Sequence, residues 1–342
     1  MRAIRLFKIG EALQQQDIPA PNVMEKEVLV RIRAAGICHS DVHYRAGASP
    51  VGPLPQTLGH EVAGVVEKVG AGVRSVGVGD RVCLHYLLTC GECYFCRNGH
   101  EQFCPQGRMI GKHCDGGFAE YIVVPARNAV PIPDGVSFEQ AAVLMCSTAT
   151  SFHALRKGRL QPGETVAVFG VGGLGMSAIQ LARACGALQV YAVDINAARL
   201  QLAGRFGAIA VNAAQEDPVA QLRRLTDGRG VDVALELIGL PLTMRQAVQC
   251  LGVLGRAVLV GLCDRPFEID SYRELLGKEA EVIGASDHLL HELPVLLEFV
   301  RQGRLDLSQV ISRTIPLDVV AVNEVMDALE HFGEGVRTVI TP

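Results

Sequence analysis

The sequence predicts an α/β protein that combines a β-rich domain with an open parallel sheet covered by helices on both faces. Three observations predict this class. The chain has 342 residues, which is enough for about two domains. Roughly the first 130 residues form short apolar runs broken by Gly and Pro, as in β domains. From about residue 145 onward, apolar strands alternate with helical patterns, as in a doubly wound sheet.

The first part is predicted to be a barrel-like or irregular β domain, because its strands are short and turn residues separate them. The predicted strands are Glu27–Ala34, Glu61–Val69, Asp80–Leu84 and Phe118–Val124.

The second part has nearly continuous apolar strands, which are typical of strands buried on both faces. The predicted strands are Thr165–Phe169, Val190–Val193, Ile209–Asn212, Val231–Glu236 and Ala257–Val260. The predicted helices between them are Gly173–Cys185, Ala197–Phe206, Val219–Thr226 and Leu242–Leu251. The tail, from about His288, predicts helices Glu292–Gln302 and Asp318–Phe332 and the strand Val336–Ile340, which periodicity alone assigns to neither domain.

Composition indicates an ordinary globular protein, with 49% hydrophobic and 20% charged residues. The net charge of −4 argues against a nucleic-acid surface or an anionic-membrane surface, which would need a basic excess. Residues 165–182 carry no charge, but four glycines interrupt them, so a strand and a turn are favoured over a membrane helix. Charges scattered through Met1–Glu11 predict no signal peptide, which favours a cytoplasmic location. The cysteine count of 11 is odd and argues against a disulfide framework.

A glycine-rich turn follows the predicted strand Thr165–Phe169. Residues 170–175 read Gly-Val-Gly-Gly-Leu-Gly, and Asp194 closes the next strand. Glycines at such a turn let the backbone approach a pyrophosphate, whose charge the helix N-terminus meets, while the acid accepts hydrogen bonds from a ribose. The alternative is a turn without a ligand. Because the carboxylate repels a 2′-phosphate, Asp194 favours NAD over NADP, although Arg199 could still reach a phosphate.

Four thiols lie close together in the sequence. Cys90, Cys93, Cys96 and Cys104 can close one tetrahedral thiolate site that leaves no position for water, as in structural zinc sites. A [4Fe–4S] cluster and reactive free thiols are the alternatives. Cys114 is nearby but fits the spacing less well.

A second, dispersed set consists of Cys38, His60 and Cys146. One His and two Cys around an open position describe a catalytic zinc site. Spacing alone does not distinguish them from a core cysteine and a polar loop histidine.

The chain resembles the zinc-dependent, medium-chain alcohol dehydrogenases over essentially its whole length. The resemblance rests on Gly59-His60-Glu61-x-x-Gly64, on Val69-Gly70, on Gly79-Asp80-Arg81-Val82, and on the four-thiol lobe and the Gly-rich turn in the family's order. It implies a GroES-like catalytic domain, 1–147 plus 288–342, and a Rossmann NAD-binding domain, 148–287.

The resemblance also implies roles for single residues. Cys38, His60 and Cys146 would ligate a catalytic zinc, with Glu61 as an additional ligand, and Asp41 would orient His60. Ser40 would hydrogen-bond the substrate oxygen, and His43 would complete a proton relay to solvent through the cofactor ribose. The four thiols would hold a structural zinc. The implied cofactor-binding residues are His39, Thr150, Gly170, Gly172, Gly173, Leu174, Gly175, Asp194, Arg199, Val260 and Arg337.

Tyr86, Met109 and Leu262 fall at family positions that line the substrate pocket, which suggests a mainly apolar pocket. The expected activity is hydride transfer between a small-molecule alcohol and NAD, giving an aldehyde or ketone. Because polyol and threonine dehydrogenases of the family tend to carry Glu at the third zinc position, Cys146 favours the alcohol dehydrogenase branch. The alternatives are a specialised secondary-alcohol or polyol dehydrogenase and a non-catalytic NAD- and zinc-binding regulator. Family members form dimers or tetramers, and the resemblance favours a tetramer.

Overall fold

The computed structural model describes residues 1–330 and 336–342 in two compact units. Unit 1 comprises Met1–Cys146, Leu289–Gly303 and Leu307–Pro342. Unit 2 comprises Ser147–His288 and Arg304–Asp306.

The strands of the described residues are given in chain order. They are β1 (Arg2–Leu6), β2 (Gln14–Asp17), β3 (Glu27–Ile37), β4 (Gln56–Thr57), β5 (Glu61–Val69), β6 (Arg81–Leu84), β7 (Leu87–Leu88), β8 (Arg108–Met109), β9 (Tyr121–Pro125), β10 (Ala129–Pro131), β11 (Thr165–Phe169), β12 (Gln189–Asp194), β13 (Ile209–Asn212), β14 (Val231–Glu236), β15 (Leu251–Leu259), β16 (Glu281–Gly284), β17 (Ile311–Pro316) and β18 (Arg337–Thr341).

The α-helices of the described residues follow in the same order. They are α1 (His39–Ala46), α2 (Tyr94–Arg97), α3 (Phe138–Val143), α4 (Ala149–Lys157), α5 (Gly173–Ala184), α6 (Ala197–Arg205), α7 (Pro218–Leu225), α8 (Pro241–Gln249), α9 (Leu293–Arg301) and α10 (Val319–Glu330). Short 3₁₀ turns are Glu101–Phe103, Ala126–Asn128, Leu276–Lys278 and Leu290–Glu292, and π turns are Leu144–Thr148 and Ser271–Leu275.

Unit 1 is built around a strongly paired sheet in the order β10-β6-β5-β3-β18-β17, with β9 also on β3. Exposed and buried side chains alternate in part of the central strand β3. Arg31 and Arg33 are exposed, and the residues next to them are buried. The C-terminal strand β18 pairs antiparallel with β3 and parallel with β17. The tail therefore completes the β-rich unit, an assignment that periodicity alone did not make.

Unit 2 is a parallel sheet of six strands in the order β13-β12-β11-β14-β15-β16. All five residues of β11 are buried, as expected of a strand with helices on both faces. The chain runs from β11 outward to β12 and β13, then returns to place β14 on the other side of β11. Ligands of such sheets bind at this switch point, beyond the carboxyl ends of the strands.

The predicted α/β class is confirmed, and the differences lie in single elements. Residues 165–182 form β11, a turn and most of α5, and no helix of the described residues has the length and apolarity to cross a bilayer. Helix α8 ends at Gln249 and Leu251 already begins β15, so the predicted helix was too long. The predicted helix Asp318–Phe332 corresponds to α10, and its last two residues lie outside the described residues.

Candidate functional site

The dispersed residues Cys38, His60, Glu61 and Cys146 come together in unit 1. Each offers one ligand atom, and these atoms all lie within 4.8 Å of one another. Cys38 follows β3 and caps α1, His60 and Glu61 stand at the start of β5, and Cys146 lies in the π turn after α3. All four side chains are buried. The fold thus gathers two thiols, one imidazole and one carboxylate into one protected group.

Asp41 connects three parts of this cluster. Its Oδ2 accepts a hydrogen bond from the backbone N–H of Cys38 at 2.9 Å, and its Oδ1 accepts one from Gly59 N–H at 3.2 Å. The same Oδ1 lies 3.3 Å from Nδ1 of His60. A proton on Nδ1 leaves the lone pair on Nε2, which is the form of imidazole that binds a metal.

The electrostatics of the cluster favour positive charge. The pKa of the Cys38 thiol is lowered well below its usual value, chiefly by a hydrogen bond from Cys146, although burial opposes the thiolate. Burial also opposes the charged form of His60, but Asp41 and Cys38 raise its pKa to about 10. The carboxylate of Asp41 and the thiolate of Cys38 make the surroundings of His60 favourable for a cation, and two thiols with one imidazole are a zinc-type donor set.

Arg337 and Glu61 form a buried ion pair at the edge of the cluster. The Arg337 guanidinium donates to Oε1 of Glu61, and its Nη1 lies 3.5 Å from the carbonyl of Ile37. Oε2 of Glu61 has no hydrogen-bond partner in the part of the chain that the structure describes. The glycine opposite, Gly36 on β3, makes room for this carboxylate, because a Cβ there would collide with Oε2.

The residues expected to relay protons lie on α1. The Oγ of Ser40 is 3.8 Å from the sulfur of Cys38, so the hydroxyl lies beside the cluster. His43 is half-buried one turn further along the helix, and its ring centroid is 4.8 Å from that of His39. Because α1 is capped at Cys38, these residues all lie on the one short helix that begins beside the cluster.

The four thiols of the local lobe also come together, with their sulfur atoms within 4.8 Å of one another. Backbone N–H groups point at two of these sulfurs, from Cys93 to Cys90 at 3.3 Å and from Cys90 to Cys104 at 3.5 Å. Backbone hydrogen bonds from Glu92 and Cys93 lower the pKa of Cys90 to about 6. Four thiolate-capable sulfurs with no further ligand position fit a closed, structural metal site.

Unit 2 contains the predicted glycine-rich turn. Gly170 has a φ of +89°, and Gly172 caps α5, so the turn presents the helix N-terminus at the carboxyl edge of the sheet. Asp194 ends β12 and accepts from Val171 N–H at 2.8 Å and from Asn196 N–H at 2.9 Å. The acid is thereby fixed beside the turn.

The remaining predicted residues are more scattered. Tyr86 is buried, and its ring centroid lies 5.4 Å from that of His60. Met109 lies on β8, whereas Leu262 belongs to unit 2 and is 75% exposed. The other residues of unit 2 predicted to bind the cofactor are Thr150 (buried, on α4), Gly173, Leu174 and Gly175 (on α5), Arg199 (on α6) and Val260 (after β15).

Family models match both units of the chain. An alcohol dehydrogenase GroES-like domain matches residues 24–134, and a zinc-binding dehydrogenase domain matches residues 173–302. The chain belongs to the zinc-dependent medium-chain alcohol dehydrogenase family. The resemblance stated from the sequence is thereby confirmed, together with the GroES-like and Rossmann character of the two domains.

Relatives with different specificities share this family. An NAD-dependent alcohol dehydrogenase of Sulfurisphaera tokodaii is 35% identical, with 100% of both chains covered. An L-threonine 3-dehydrogenase of Chromobacterium violaceum is 33% identical over 93% of this chain and 94% of its own. The solved alcohol dehydrogenase of Thermus sp. ATN1 superposes with a TM-score of 0.92 at 30% identity, covering 100% of this chain and 99% of that one.

The sequence missed the ion pair between Arg337 and Glu61. The resemblance assigns Arg337 to a pyrophosphate, whereas in the structure its guanidinium bonds to Glu61. The two residues are far apart in the chain and belong to strands separated by β3 in the sheet. Only the pairing of β18 with β3 could have revealed this contact, and no local pattern predicts that pairing.

Proposed function

We propose that this protein is a zinc-dependent alcohol dehydrogenase that interconverts an alcohol and an aldehyde or ketone by hydride transfer with NAD(H). The observation that carries the proposal is the buried group of two thiols and one imidazole with the Ser40 hydroxyl beside it. The full-length likeness to an NAD-dependent alcohol dehydrogenase supports the same activity.

Cys38, His60 and Cys146 would hold the catalytic zinc, with Glu61 as a further carboxylate within reach. When bound, zinc supplies a Lewis acid that favours the deprotonated alcohol, and NAD supplies the hydride acceptor. Asp41 keeps the His60 ring in place and increases its basicity through the contact at Nδ1. Burial of the four side chains excludes water from the group and strengthens its electrostatic interactions.

Ser40 and His43 would carry the proton that alcohol oxidation releases. A hydroxyl both accepts and donates, so Oγ of Ser40 can take the substrate's proton and pass its own onward. His43 is half-buried on the same helix, where its imidazole would pass the proton on to water. Tyr86 and Met109 would contribute apolar surface for the substrate in unit 1.

The Gly-rich turn would bind the dinucleotide. Backbone N–H groups at the start of α5 would meet the pyrophosphate, and Asp194 would accept from the adenosine ribose. Because Asp194 already takes two backbone N–H groups, its carboxylate is held in a fixed position and disfavours a 2′-phosphate. NAD is therefore the proposed cofactor rather than NADP.

Several finer statements belong to this proposal. The four-thiol lobe would hold a second zinc, giving two per chain, and unit 1 and unit 2 would act as the catalytic and cofactor domains.

A homo-oligomer, dimer or tetramer, is supported by the open edge strand β16 and by the exposed Tyr272 and Leu276 of the same unit. All eleven cysteines are free thiols, which supports a reducing compartment such as the cytoplasm.

The test is Cys38→Ser, with turnover followed by NADH absorbance on a panel of primary, secondary and polyhydric alcohols. We expect a loss of about 10³-fold or more in kcat/KM, because metal-assisted charge stabilisation contributes several kcal/mol. The matched control is Cys83→Ser, which makes the same change at a fully buried cysteine outside both clusters. Its thiol donates to the Val130 carbonyl, and a serine can do the same.

Full turnover in Cys38→Ser after loss of one zinc would contradict the proposal. The substrate panel separates simple alcohols from the polyols and amino alcohols used by other branches of the family. A wild-type chain with two zincs that binds NADH and oxidises none of them would favour the non-catalytic alternative.

A further inference from the structure

A buried acid at the carboxyl edge of the sheet in unit 2 has an arrangement that the proposed reaction does not use. Glu236 is the last residue of β14, and its side chain is 0% exposed. Its Oε1 accepts three hydrogen bonds, from Ile238 N–H at 3.0 Å, from Gly239 N–H at 2.9 Å and from the Thr243 hydroxyl at 2.7 Å. One carboxylate oxygen therefore fixes the turn that leaves β14 and the first turn of α8.

The turn held by Glu236 packs against the two neighbouring turns. Gly170 lies so close to it that an added Cβ would stand 2.5 Å from Cγ1 of Ile238. On its other side, a Cβ at Gly239 would collide with the Leu262 carbonyl, and one at Gly261 would collide with Gly239. The turns after β11, β14 and β15 thus interlock at one edge of the sheet.

The position of this edge matters because β11 and β14 flank the switch point of the sheet. A ligand of such a sheet binds in the crevice beyond the carboxyl ends of these strands. Ile238 forms one rim of the Gly-rich turn and is 37% exposed, so its side chain is available to a ligand there.

The other oxygen of Glu236 costs stability. Oε2 is buried and has no hydrogen-bond partner in the described parts of the chain. A buried polar atom without a partner destabilises the folded state, and an apolar residue would avoid that penalty. An acid kept here at such a cost is better explained by its effect on the turn than by stability.

We propose that Glu236 is a positioning residue for the dinucleotide, which acts by holding the Ile238–Gly239 backbone against the Gly-rich turn. The proposal rests on the proposed function, since it presumes that this edge binds NAD(H). Glu236 touches neither the substrate nor the reacting atoms. Its removal loosens the rim and weakens dinucleotide binding, while the alcohol site in unit 1 is unaffected.

The experiment compares NADH affinity, by fluorescence titration well below the unfolding temperature, among variants of the zinc-loaded full chain. Glu236→Leu removes the acceptor, Glu236→Gln keeps a carbonyl oxygen in its place, and Thr243→Val removes one donor. We expect Kd for NADH to rise about tenfold in Glu236→Leu and about two- to threefold in each of the other two, because bonds to a charged acceptor are the stronger ones. KM for NAD rises accordingly, and KM for the alcohol does not.

The matched control is Asp232→Asn, at the amino end of the same strand. Asp232 accepts from the backbone N–H and the hydroxyl of Thr165, each at 2.7 Å. Its loss therefore destabilises unit 2 at the amino ends of the strands, opposite the edge that holds the Gly-rich turn. It should lower the unfolding temperature and leave Kd for NADH unchanged.

Two results would overturn the proposal: a Glu236→Leu protein with lowered stability and wild-type Kd, or a Glu236→Gln protein as weak as Glu236→Leu. If Glu236→Leu does not fold, Thr243→Val decides, and a wild-type Kd in that variant counts against the proposal. A wild-type chain that fails to bind NADH contradicts the proposed function itself, which keeps the two failures apart.

Discussion

The two groups of potential metal ligands lie in the same unit and differ in how they are assembled. The dispersed cluster draws Cys38, the pair His60 and Glu61, and Cys146 from three separate parts of the chain and buries all of them. The lobe cluster takes four thiols from one stretch, Cys90–Cys104, and only Cys104 is buried. One group is a product of the tertiary fold, and the other is a product of a single loop.

The surroundings of the two groups differ in the same way. In the dispersed cluster, Asp41 ties the Cys38 backbone and His60 together through contacts within the protein. The lobe has few anchors of its own, among them Glu101, which accepts from Leu290 N–H at 2.6 Å. We therefore expect the dispersed cluster to keep its arrangement when its metal is removed. The lobe should lose its ordered structure without its metal.

The largest effect on stability is expected from Cys104→Ser. If the lobe holds the proposed zinc, its loss removes binding free energy that stabilises the folded state. A loss of about 2 kcal/mol or more lowers the unfolding midpoint by at least about 4–8 °C at roughly 2–4 °C per kcal/mol. Calorimetry should show the lowered midpoint and metal analysis one zinc per chain, with turnover per chain near that of the wild type at low temperature.

The control for that variant is Cys114→Ser, a half-buried cysteine nearby and outside both clusters. It should keep both zincs and the wild-type midpoint. A Cys104→Ser protein of unchanged stability would show that the lobe is ordered without metal, and the contrast between the clusters would fail.

The next effect is expected from Asp41→Asn, which keeps the shape and removes the charge beside His60. Partners that orient a metal-ligating histidine are worth about 10–100-fold in metal affinity or activity. Zinc competition with a chelator and kcat/KM should both report a loss in this range. The lobe should keep its metal, because Asp41 does not contact it.

An exposed acid that also accepts a hydrogen bond from the backbone provides the control for the buried Asp41. Asp115 accepts from Thr57 N–H at 2.9 Å in the same unit, away from the dispersed cluster. Asp115→Asn should leave zinc affinity unchanged. Equal chelator sensitivity in Asp41→Asn and in the wild type would mean that the strands alone position His60.

The smallest effect is a pH dependence where the lobe meets the rest of unit 1. His85 is buried 3.7 Å from Glu101, and burial, with Arg127, lowers its pKa to about 3. The folded state therefore keeps His85 neutral, and its contribution is fully present above the unfolded pKa of about 6.5. As pH falls below that value, stability is lost at up to about 1.4 kcal/mol per pH unit.

The measurement is urea unfolding of the wild type and of His85→Gln at pH 7 and pH 5. The variant should lose less stability than the wild type over this interval, because its side chain does not titrate. His100→Gln, at an exposed histidine, should retain the wild-type slope. Parallel slopes for His85→Gln and the wild type would refute the assignment to His85.

Local patterns account for what the sequence predicted well. The Gly-rich turn and the thiol lobe are each contained in one short stretch, so spacing alone describes them. The parallel strands were recognisable because they are apolar throughout. The dispersed cluster could be assembled only through the family resemblance, since no spacing relates Cys146 to His60.

The features that the sequence did not predict depend on long-range pairing. Strand β17 is half exposed and lies at the edge of its sheet, so its hydrophobic pattern is weak. Helix α1 is short and caps on a cysteine, which is not among the preferred capping residues. The partner of Glu61 follows from the pairing of β18 with β3, which a single sequence does not encode locally.

The pairing of β18 with β3 has a consequence for the order in which the protein is made. Nearly all of unit 2 is one continuous stretch and can fold on the ribosome as soon as it has emerged. Unit 1 must wait, because the end of β3 at residues 35–37 lacks its partner strand until Arg337–Thr341 has been synthesised. Its completion also requires closing a very long loop, which slows folding. The nascent chain therefore carries an unfinished sheet, with Glu61 lacking its arginine, until Arg337–Thr341 has left the exit tunnel.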